Sequence, residues 1–238
     1  FTAEWENLSR LMGYWVDMKR PYITYENYYI ESVWWLLHNL YSQGLIYKGY
    51  TIQPYSPAAG TGLSSHELNM PGCYRDVKDT TVTAMFRMTS PQGAFKTDWG
   101  ETYFMAWTTT PWTLPSNTAL CVGPKIDYVL VNTFNPYTAQ PISVVMAEAR
   151  IASYFNPAGA EAAMENYEKG GKILPYRVVA HFKGTDLEGL KYEQLFAYVN
   201  PGEGAFRVIL GDYVSTEDGT GIVHIAPTFG ADDAFVAK

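Results

Sequence analysis

Two short segments concentrate the side chains that could do chemistry. AWTTTPWTLPSN, residues 106–117, places three consecutive threonines between two tryptophans. DGTGIVHIAPTFGADD, residues 218–233, contains His224 and ends in the acidic pair Asp232-Asp233. Hydroxyl, imidazole and carboxylate groups can bind a polar substrate or orient a water molecule. Taken singly, each segment also has a structural interpretation, because threonine suits strands, strand histidines often lie in cores, and acidic pairs often cap turns.

The elements that must position these side chains are predicted to be mostly strands. Short β-branched or aromatic runs, separated by turn residues, occur at residues 80–88, 102–108, 117–122, 128–134, 142–147, 176–182, 206–211 and 221–226. Helical segments are predicted near 147–154 and 161–169. Many short strands and few helices favour a mainly β fold (α+β), a barrel with insertions, over a doubly wound α/β fold.

The first fifty residues predict a helix instead. Apolar side chains share one stripe at helical spacing: Ile30, Val33, Trp34, Leu37, Leu40 and Tyr41. Thr24 is the predicted N-cap, Glu26 falls in the first turn, and Gly44 ends the helix. A stretch rich in Gly, Pro and Ser follows. We therefore divide the chain into a helical segment (1–53), a connector (54–79) and a main domain (80–238).

Composition narrows the function classes. Hydrophobic residues make up 47% and charged residues 17%, which is typical of a folded chain. The net charge of −7 argues against capture of nucleic acid through the overall field. No apolar run spans a bilayer and no secretion leader is recognisable, so we expect a cytoplasmic protein without membrane contact. Two separated cysteines and four histidines without ligand spacing predict no metal site.

Together, the two segments resemble the editing domain of isoleucyl-tRNA synthetases, the connective-peptide insertion of these class I enzymes. That family has TTTPWTLP followed closely by asparagine, and then GTG, a histidine, AP and an acidic pair. GYWVDMKRPYIT, YIESVWWLL, GLIYKG and PYSPAAGTGLSSHEL also look like the region between the catalytic core and the insertion. The resemblance thus covers most of the chain and leads us to expect a piece of a longer polypeptide.

Three details refine the resemblance. Valyl and leucyl editing domains carry arginine after two threonines, so Thr110 and Trp112 favour the isoleucyl branch. Phe229 stands where many bacterial relatives have histidine, and we assign it no chemical role. The connector lacks the cysteines that bind zinc in some relatives.

The resemblance implies a closed β-barrel of the valyl/isoleucyl/leucyl-tRNA synthetase type, with inserted helices and an N-terminal helical segment. A hydrophobic pocket gains only about 1–3 kcal/mol from one methylene, and this synthetase is the usual example of that limit. The implied activity is hydrolysis of valyl-tRNA(Ile), and of valyl-adenylate, at a second site. The parent enzyme would ligate isoleucine with ATP and Mg2+, whereas this chain has no H-x-G-H or K-M-S-K-S segment and is expected to need no cofactor. Its implied partners are the valylated acceptor end of the tRNA and the remainder of the synthetase.

The resemblance also assigns roles to residues. Asp233 would bind the substrate ammonium by a charge-assisted hydrogen bond, and Asp232 would shape the loop. Thr109 and Thr110 would line the pocket and orient the water or the ester carbonyl. His224 would either form the wall that excludes isoleucine or hydrogen-bond the ribose or water.

Other residues are weaker candidates for substrate binding: Thr108, Thr113, Trp112 and Asn117. Trp107 and Trp112 either stack on the terminal adenine or pack in the core. Asn117 either binds ribose or base, or forms a turn. No G-x-S-x-G nucleophile is present, so a positioned water assisted by a tRNA ribose hydroxyl is expected to attack. The alternatives are a module that binds the acceptor end without hydrolysing it and an inactive spacer.

Overall fold

The computed structural model describes residues 1–237, and the chain divides into two compact units, Phe1–Thr51 and Ile52–Lys238. The first unit holds the helices α1 (Thr2–Leu11) and α2 (Asn27–Ser42). The predicted N-cap Thr24 is wrong, because Glu26 caps α2 and its carbonyl accepts from the N–H groups of the first turn. The predicted stop at Gly44 is confirmed. Gly44 adopts a φ of 72°, and the next N–H, that of Leu45, donates to the carbonyl of Leu40.

The predicted connector contains short elements of its own. A short hairpin pairs β1 (Tyr55–Ser56) with β2 (Thr61–Gly62), each strand being two residues long. One helical turn, α3 (Ser65–Leu68), follows Ser64, whose hydroxyl and backbone N–H form a capping box with Glu67.

All eight predicted strands of the main region are confirmed. They are β3 (Val82–Arg87), β4 (Glu101–Thr108), β5 (Ala119–Val122), β6 (Asp127–Phe134), β7 (Pro141–Ala147), β8 (Arg177–Lys183), β9 (Arg207–Leu210) and β10 (Ile222–Ile225). Five of them form one sheet in the order β3-β4-β7-β6-β8, and three form another in the order β10-β5-β9. Among the described residues, only β4–β7 and β5–β9 pair in parallel.

Of the two predicted helical segments, one is confirmed and one is wrong. A 3-10 turn at Glu148–Arg150 leads into α4 (Ile151–Tyr154). Between residues 161 and 169, however, the chain forms only a 3-10 turn at Met164–Asn166. The guanidinium of Arg177 donates to the carbonyls of Gly159 and Ala162 at 3.2 and 2.7 Å. The carbonyl of Ala162 is thus occupied by a tertiary hydrogen bond, whereas an α-helix over 161–169 would use it for its own backbone. Two further α-helices are α5 (Gly184–Leu187) and α6 (Ala231–Val236).

The central strands β6 and β7 of the five-stranded sheet are buried on both faces. Along β6, Tyr128 and Leu130 enter the core shared with the smaller sheet, whereas Val129 and Val131 pack under Phe155 and its neighbours. Successive side chains of a strand point to opposite faces, so burial of both faces explains the unbroken apolar runs of β6 and β7.

The predicted closed barrel is not confirmed: within residues 1–237 no sheet closes on itself, and the fold is a sheet-rich mixture of helices and strands. Just before β10, Thr220 links the chain to β4 and β7 by single hydrogen bonds. Thr220 Oγ1 donates to the carbonyl of Met105 at 2.6 Å, and the N–H of Ala147 donates to the carbonyl of Thr220 at 2.9 Å. No helix in the described part of the chain has the length and apolarity to cross a membrane.

Candidate functional site

The two predicted segments converge on a cleft of about 280 Å3. Its walls are formed by Trp107, Thr108, Thr109, Thr110, Thr113, Val223, His224, Ala226, Phe229 and Asp233. A 3-10 helix, Pro111–Ser116, carries the chain from the end of β4 to β5, and β10 pairs with β5 so that His224 lies opposite Leu120. Thr113 and His224, which are 111 residues apart in sequence, thereby come within 2.8 Å of each other.

The threonines divide into two pairs. Thr108 is the last residue of β4 and is buried, and its Oγ1 accepts a hydrogen bond of 3.0 Å from the N–H of Thr110. This local side-chain bond turns the chain out of the strand. Thr109 and Thr110 are exposed at the cleft, and within residues 1–237 the Thr109 hydroxyl has no hydrogen-bond partner. Thr113 is buried, and its hydroxyl donates to the carbonyl of Thr110 at 2.8 Å.

Asp233 lies in the first turn of α6 and is half-buried. Its Oδ1 accepts from the N–H of Ala226 at 2.8 Å, which ties α6 to the end of β10. A Cβ on Gly230 would collide with the Asp233 carboxylate, so only glycine lets the carboxylate sit there. Asp232 is exposed and does not line the cleft. The loop-bracing contact expected of Asp232 is therefore made by Asp233.

Two glycines bring the second segment against the first. Gly219 and Gly221 have φ values of 65° and 75°, in the left-handed region that favours glycine. A Cβ on Gly219 would lie 2.8 Å from Cε3 of Trp107, and one on Gly221 would collide with Ala147. The guanidinium of Arg150 donates to the carbonyls of Glu217 and Gly219, both at 2.9 Å.

Two of the weaker candidates lie outside the cleft wall. Trp112 is 62% exposed on the 3-10 helix. Asn117 is buried behind His224, and its amide contacts the His224 ring, the carbonyl of Ala119 and the hydroxyl of Tyr192. The binding roles predicted for these two residues stay predictions. Sequence reasoning gave no role to Phe229, which is 58% exposed and lines the cleft.

Burial favours the uncharged forms of His224, which lines the cleft, and of the buried thiol of Cys121. Burial lowers the pKa of His224, and the negative charge of Asp233 opposes this shift. Burial raises the pKa of the Cys121 thiol, so this cysteine is not a ready nucleophile. Within the described residues, no group of three His, Cys, Asp or Glu side chains could hold a metal ion. The chemical groups that the cleft presents are a carboxylate, hydroxyls and a neutral imidazole.

Comparison with known proteins defines the class. The sequence model of the class I tRNA synthetases (I, L, M and V) matches residues 1–217. The chain therefore belongs to the class I tRNA synthetase family. Within that class it is similar to isoleucine–tRNA ligases: it is 71% identical over 238 residues to that of Bacteroides fragilis and 65% identical over 239 residues to that of Porphyromonas gingivalis. Each alignment covers all of this chain and 21% of the relative, so the chain spans about a fifth of the length of these curated relatives.

Solved structures give a weaker likeness. The editing domain of P. falciparum cytosolic leucyl-tRNA synthetase matches with a TM-score of 0.44 and 15% identity, over 62% of this chain and 53% of that one. The P. knowlesi editing domain matches with a TM-score of 0.42 and 16% identity, over 57% and 49%. At these scores the likeness has no bearing on function.

Proposed function

We propose that this chain is the editing unit of an isoleucine–tRNA ligase and hydrolyses mischarged valyl-tRNA(Ile). The observation that carries the proposal is the convergence of the two motif segments on one small cleft. That cleft presents a carboxylate and a free hydroxyl, as an aminoacyl ester requires. Its volume of about 280 Å3 lies just below the usual range of ligand pockets, about 300–1,000 Å3, which suits an aminoacyl group rather than a whole nucleotide.

The carboxylate of Asp233 binds the α-ammonium group of the valyl ester. One of its oxygens is held by the N–H of Ala226, and this bond fixes the direction in which the carboxylate faces the cleft. A charge-assisted hydrogen bond to an ammonium group then anchors the amino-acid end of the substrate.

Water is the nucleophile. The free hydroxyl of Thr109, and that of Thr110, orient a water molecule toward the ester carbonyl. The water oxygen bonds to the carbonyl carbon, the bond to the ribose oxygen breaks, and that oxygen takes a proton. The products are valine and tRNA with a free terminal hydroxyl, and the neighbouring ribose hydroxyl assists the proton transfer. The same arrangement would hydrolyse valyl-adenylate.

His224 forms the wall that excludes isoleucine. It is 7% exposed and borders the cleft beside Val223. Because its pKa is lowered by burial, the ring is an uncharged steric surface at neutral pH. A wall of fixed shape can reject the additional methylene of isoleucine.

The partners and organisation follow from the same proposal. The acceptor end of tRNA(Ile) is held locally, because the net charge of −7 does not attract nucleic acid as a whole. Residues 1–53 are the helical segment that flanks the catalytic core of the longer synthetase. Residues 54–79 connect this segment to the editing domain, which is formed by residues 80–238. ATP and Mg2+ serve the ligase part of that cytoplasmic enzyme, not this chain.

The test is a side-by-side deacylation of valyl-tRNA(Ile) and isoleucyl-tRNA(Ile). It uses this chain and, in parallel, the B. fragilis ligase carrying these residues in place of its own. We expect cleavage of the valyl ester alone, its loss in Asp233→Ala, and its retention in the control Asp232→Ala. His224→Ala should additionally cleave the isoleucyl ester.

Three results would overturn the proposal. They are equal cleavage of both esters, cleavage that survives Asp233→Ala, and no cleavage by a folded chimera that still aminoacylates. Binding without hydrolysis would instead support an acceptor-end binding module.

A further inference from the structure

Behind the cleft wall lies a chain of four buried polar side chains. Tyr192, Asn117, Thr113 and His224 are 3%, 5%, 5% and 7% exposed. The hydroxyl of Tyr192 lies 2.6 Å from Asn117 Oδ1, and Asn117 Nδ2 lies 3.4 Å from Nδ1 of His224. On the other side of the ring, Nε2 of His224 lies 2.8 Å from Thr113 Oγ1. Every ring nitrogen thus faces a protein partner rather than the cleft solvent.

The hydrogen bonds of Thr113 determine whether Nε2 of His224 carries a hydrogen. The Thr113 hydroxyl donates to the carbonyl of Thr110 at 2.8 Å, and a carbonyl oxygen can only accept. A hydroxyl has a single proton, so Thr113 Oγ1 has only lone pairs to offer His224. Nε2 of His224 therefore carries the hydrogen of that 2.8 Å bond.

The hydrogen bonds of Asn117 determine whether Nδ1 of His224 carries a hydrogen. Nδ2 of Asn117 donates to the carbonyl of Ala119 at 2.8 Å, and this contact settles which end of the amide carries nitrogen. Oδ1 consequently faces Tyr192, whose hydroxyl donates to it. The second Nδ2 hydrogen is left for Nδ1 of His224, which lies 3.4 Å away. Because an amide nitrogen donates and does not accept, Nδ1 can pair with it only when it carries no hydrogen itself.

We propose that Tyr192 is a positioning residue for His224. Its hydroxyl fixes the amide of Asn117, and that amide holds the imidazole as the neutral Nε2–H tautomer with both nitrogens engaged. His224 then presents a rigid wall, and its one lone pair, on Nδ1, is engaged by Asn117 and is not free to take a proton from water. The use of that wall in rejecting isoleucine rests on the proposed function, whereas the tautomer does not.

Backbone hydrogen bonds on both sides hold Tyr192 in place, as a positioning residue requires. Its backbone N–H donates to the carbonyl of Phe206 at 3.0 Å. The preceding carbonyl, that of Lys191, accepts from the N–H of Thr89 at 2.9 Å, and the following N–H, that of Glu193, donates to Arg87 at 2.8 Å. Tyr192 is thereby clamped between the end of β3 and β9, one strand from each sheet, and its hydroxyl holds a fixed place relative to both.

The first experiment reads the tautomer without any substrate. Histidine ring nitrogens are assigned by long-range proton–nitrogen NMR on the chain labelled at histidine. We expect one neutral species of His224 with the hydrogen on Nε2. A hydrogen on Nδ1, or a mixture of tautomers, in the unmodified chain would overturn the inference at once.

The second experiment removes the hydroxyl with Tyr192→Phe. We expect His224 to become a mixture of tautomers and the preference for the valyl over the isoleucyl ester to fall about tenfold, the scale of one buried hydrogen bond. Asn117→Asp removes the donor to Nδ1 and should move hydrogen onto that nitrogen. A retained single Nε2–H tautomer in either folded variant would contradict the proposal.

Tyr128→Phe is the matched control. Tyr128 is buried in the same core, and its hydroxyl is likewise hydrogen-bonded: it accepts from the N–H of Gly123 and donates to the carbonyl of Gly221. This variant should lose stability like Tyr192→Phe and yet keep the tautomer and the ester preference. If the tautomers behave as expected and neither ester is hydrolysed, the proposed function fails while the positioning role of Tyr192 stands.

Discussion

The two sides of the cleft differ in how their polar atoms are used. On the inner side, Thr113 and His224 are buried and every hydrogen-bonding atom has a partner within the protein. On the outer side, Thr109 and Phe229 are exposed, and the Thr109 hydroxyl has no partner among the described residues. Polar residue types are therefore shared by both sides, but only the outer side has capacity left for a ligand. The inner side supplies shape.

The largest expected effect comes from moving the carboxylate of Asp233, which lines the cleft. Gly230→Ala places a Cβ against the carboxylate of Asp233, and φ at this residue is extended, so the backbone itself is not strained. We expect valyl-tRNA deacylation to fall about 100-fold, since a hydrogen bond to a charged group is worth about 1.5–3 kcal/mol.

A double-variant cycle checks the cause. If Gly230→Ala acts through the carboxylate, adding it to Asp233→Ala causes no further loss of rate. Independent, additive losses in the double variant would show that Gly230 matters for another reason.

A matched pair of threonine substitutions tests the contrast itself. Thr113→Val leaves Nε2 of His224 without its partner and removes one of the two hydrogen bonds to the carbonyl of Thr110, which keeps the bond from the N–H of residue 113. The free energy of unfolding should therefore fall by about 1–3 kcal/mol. Thr109→Val should change stability by less than about 0.5 kcal/mol but slow deacylation about tenfold. Urea unfolding and single-turnover deacylation measure the two effects. Equal stability losses would erase the distinction between the two sides.

The smallest expected effect is the pH dependence of stability through His224. Burial lowers its pKa below the ordinary value of 6.5, so the unfolded chain binds more protons than the folded one just below pH 6.5. The contribution of neutral His224 to the free energy of unfolding is therefore complete above pH 6.5. It declines as the pH falls toward the pKa of His224 in the folded protein.

The comparison with His224→Gln isolates this contribution, because the other histidines cancel in the difference. Urea midpoints of both proteins, measured between about pH 5 and pH 7.5, should converge as the pH falls. A constant difference would mean that His224 titrates normally in the folded protein.

Much of the fold follows from local patterns. β-branched and aromatic runs located all eight main strands, because alternating or continuous burial of a strand is written in its own residues. The failures have non-local causes. The helix predicted at 161–169 competes with Arg177, which lies in a later strand. The predicted barrel fails because the eight strands divide between two sheets that share a core, and this division depends on pairing between strands far apart in sequence. The capping error at Thr24 was a shift of two residues, within the usual uncertainty of helix ends.

The sequence by itself determined which chemical groups the cleft could contain. The threonine segment, His224 and the acidic pair were all identified from residue type and order. Only the tertiary structure decided which of their atoms are free. Tyr192 stands between Lys191 and Glu193, and nothing in this local sequence indicates that its hydroxyl reaches Asn117, 75 residues away. Whether a polar atom can meet a ligand depends on burial and on partners from distant strands, and neither quantity is encoded in local spacing.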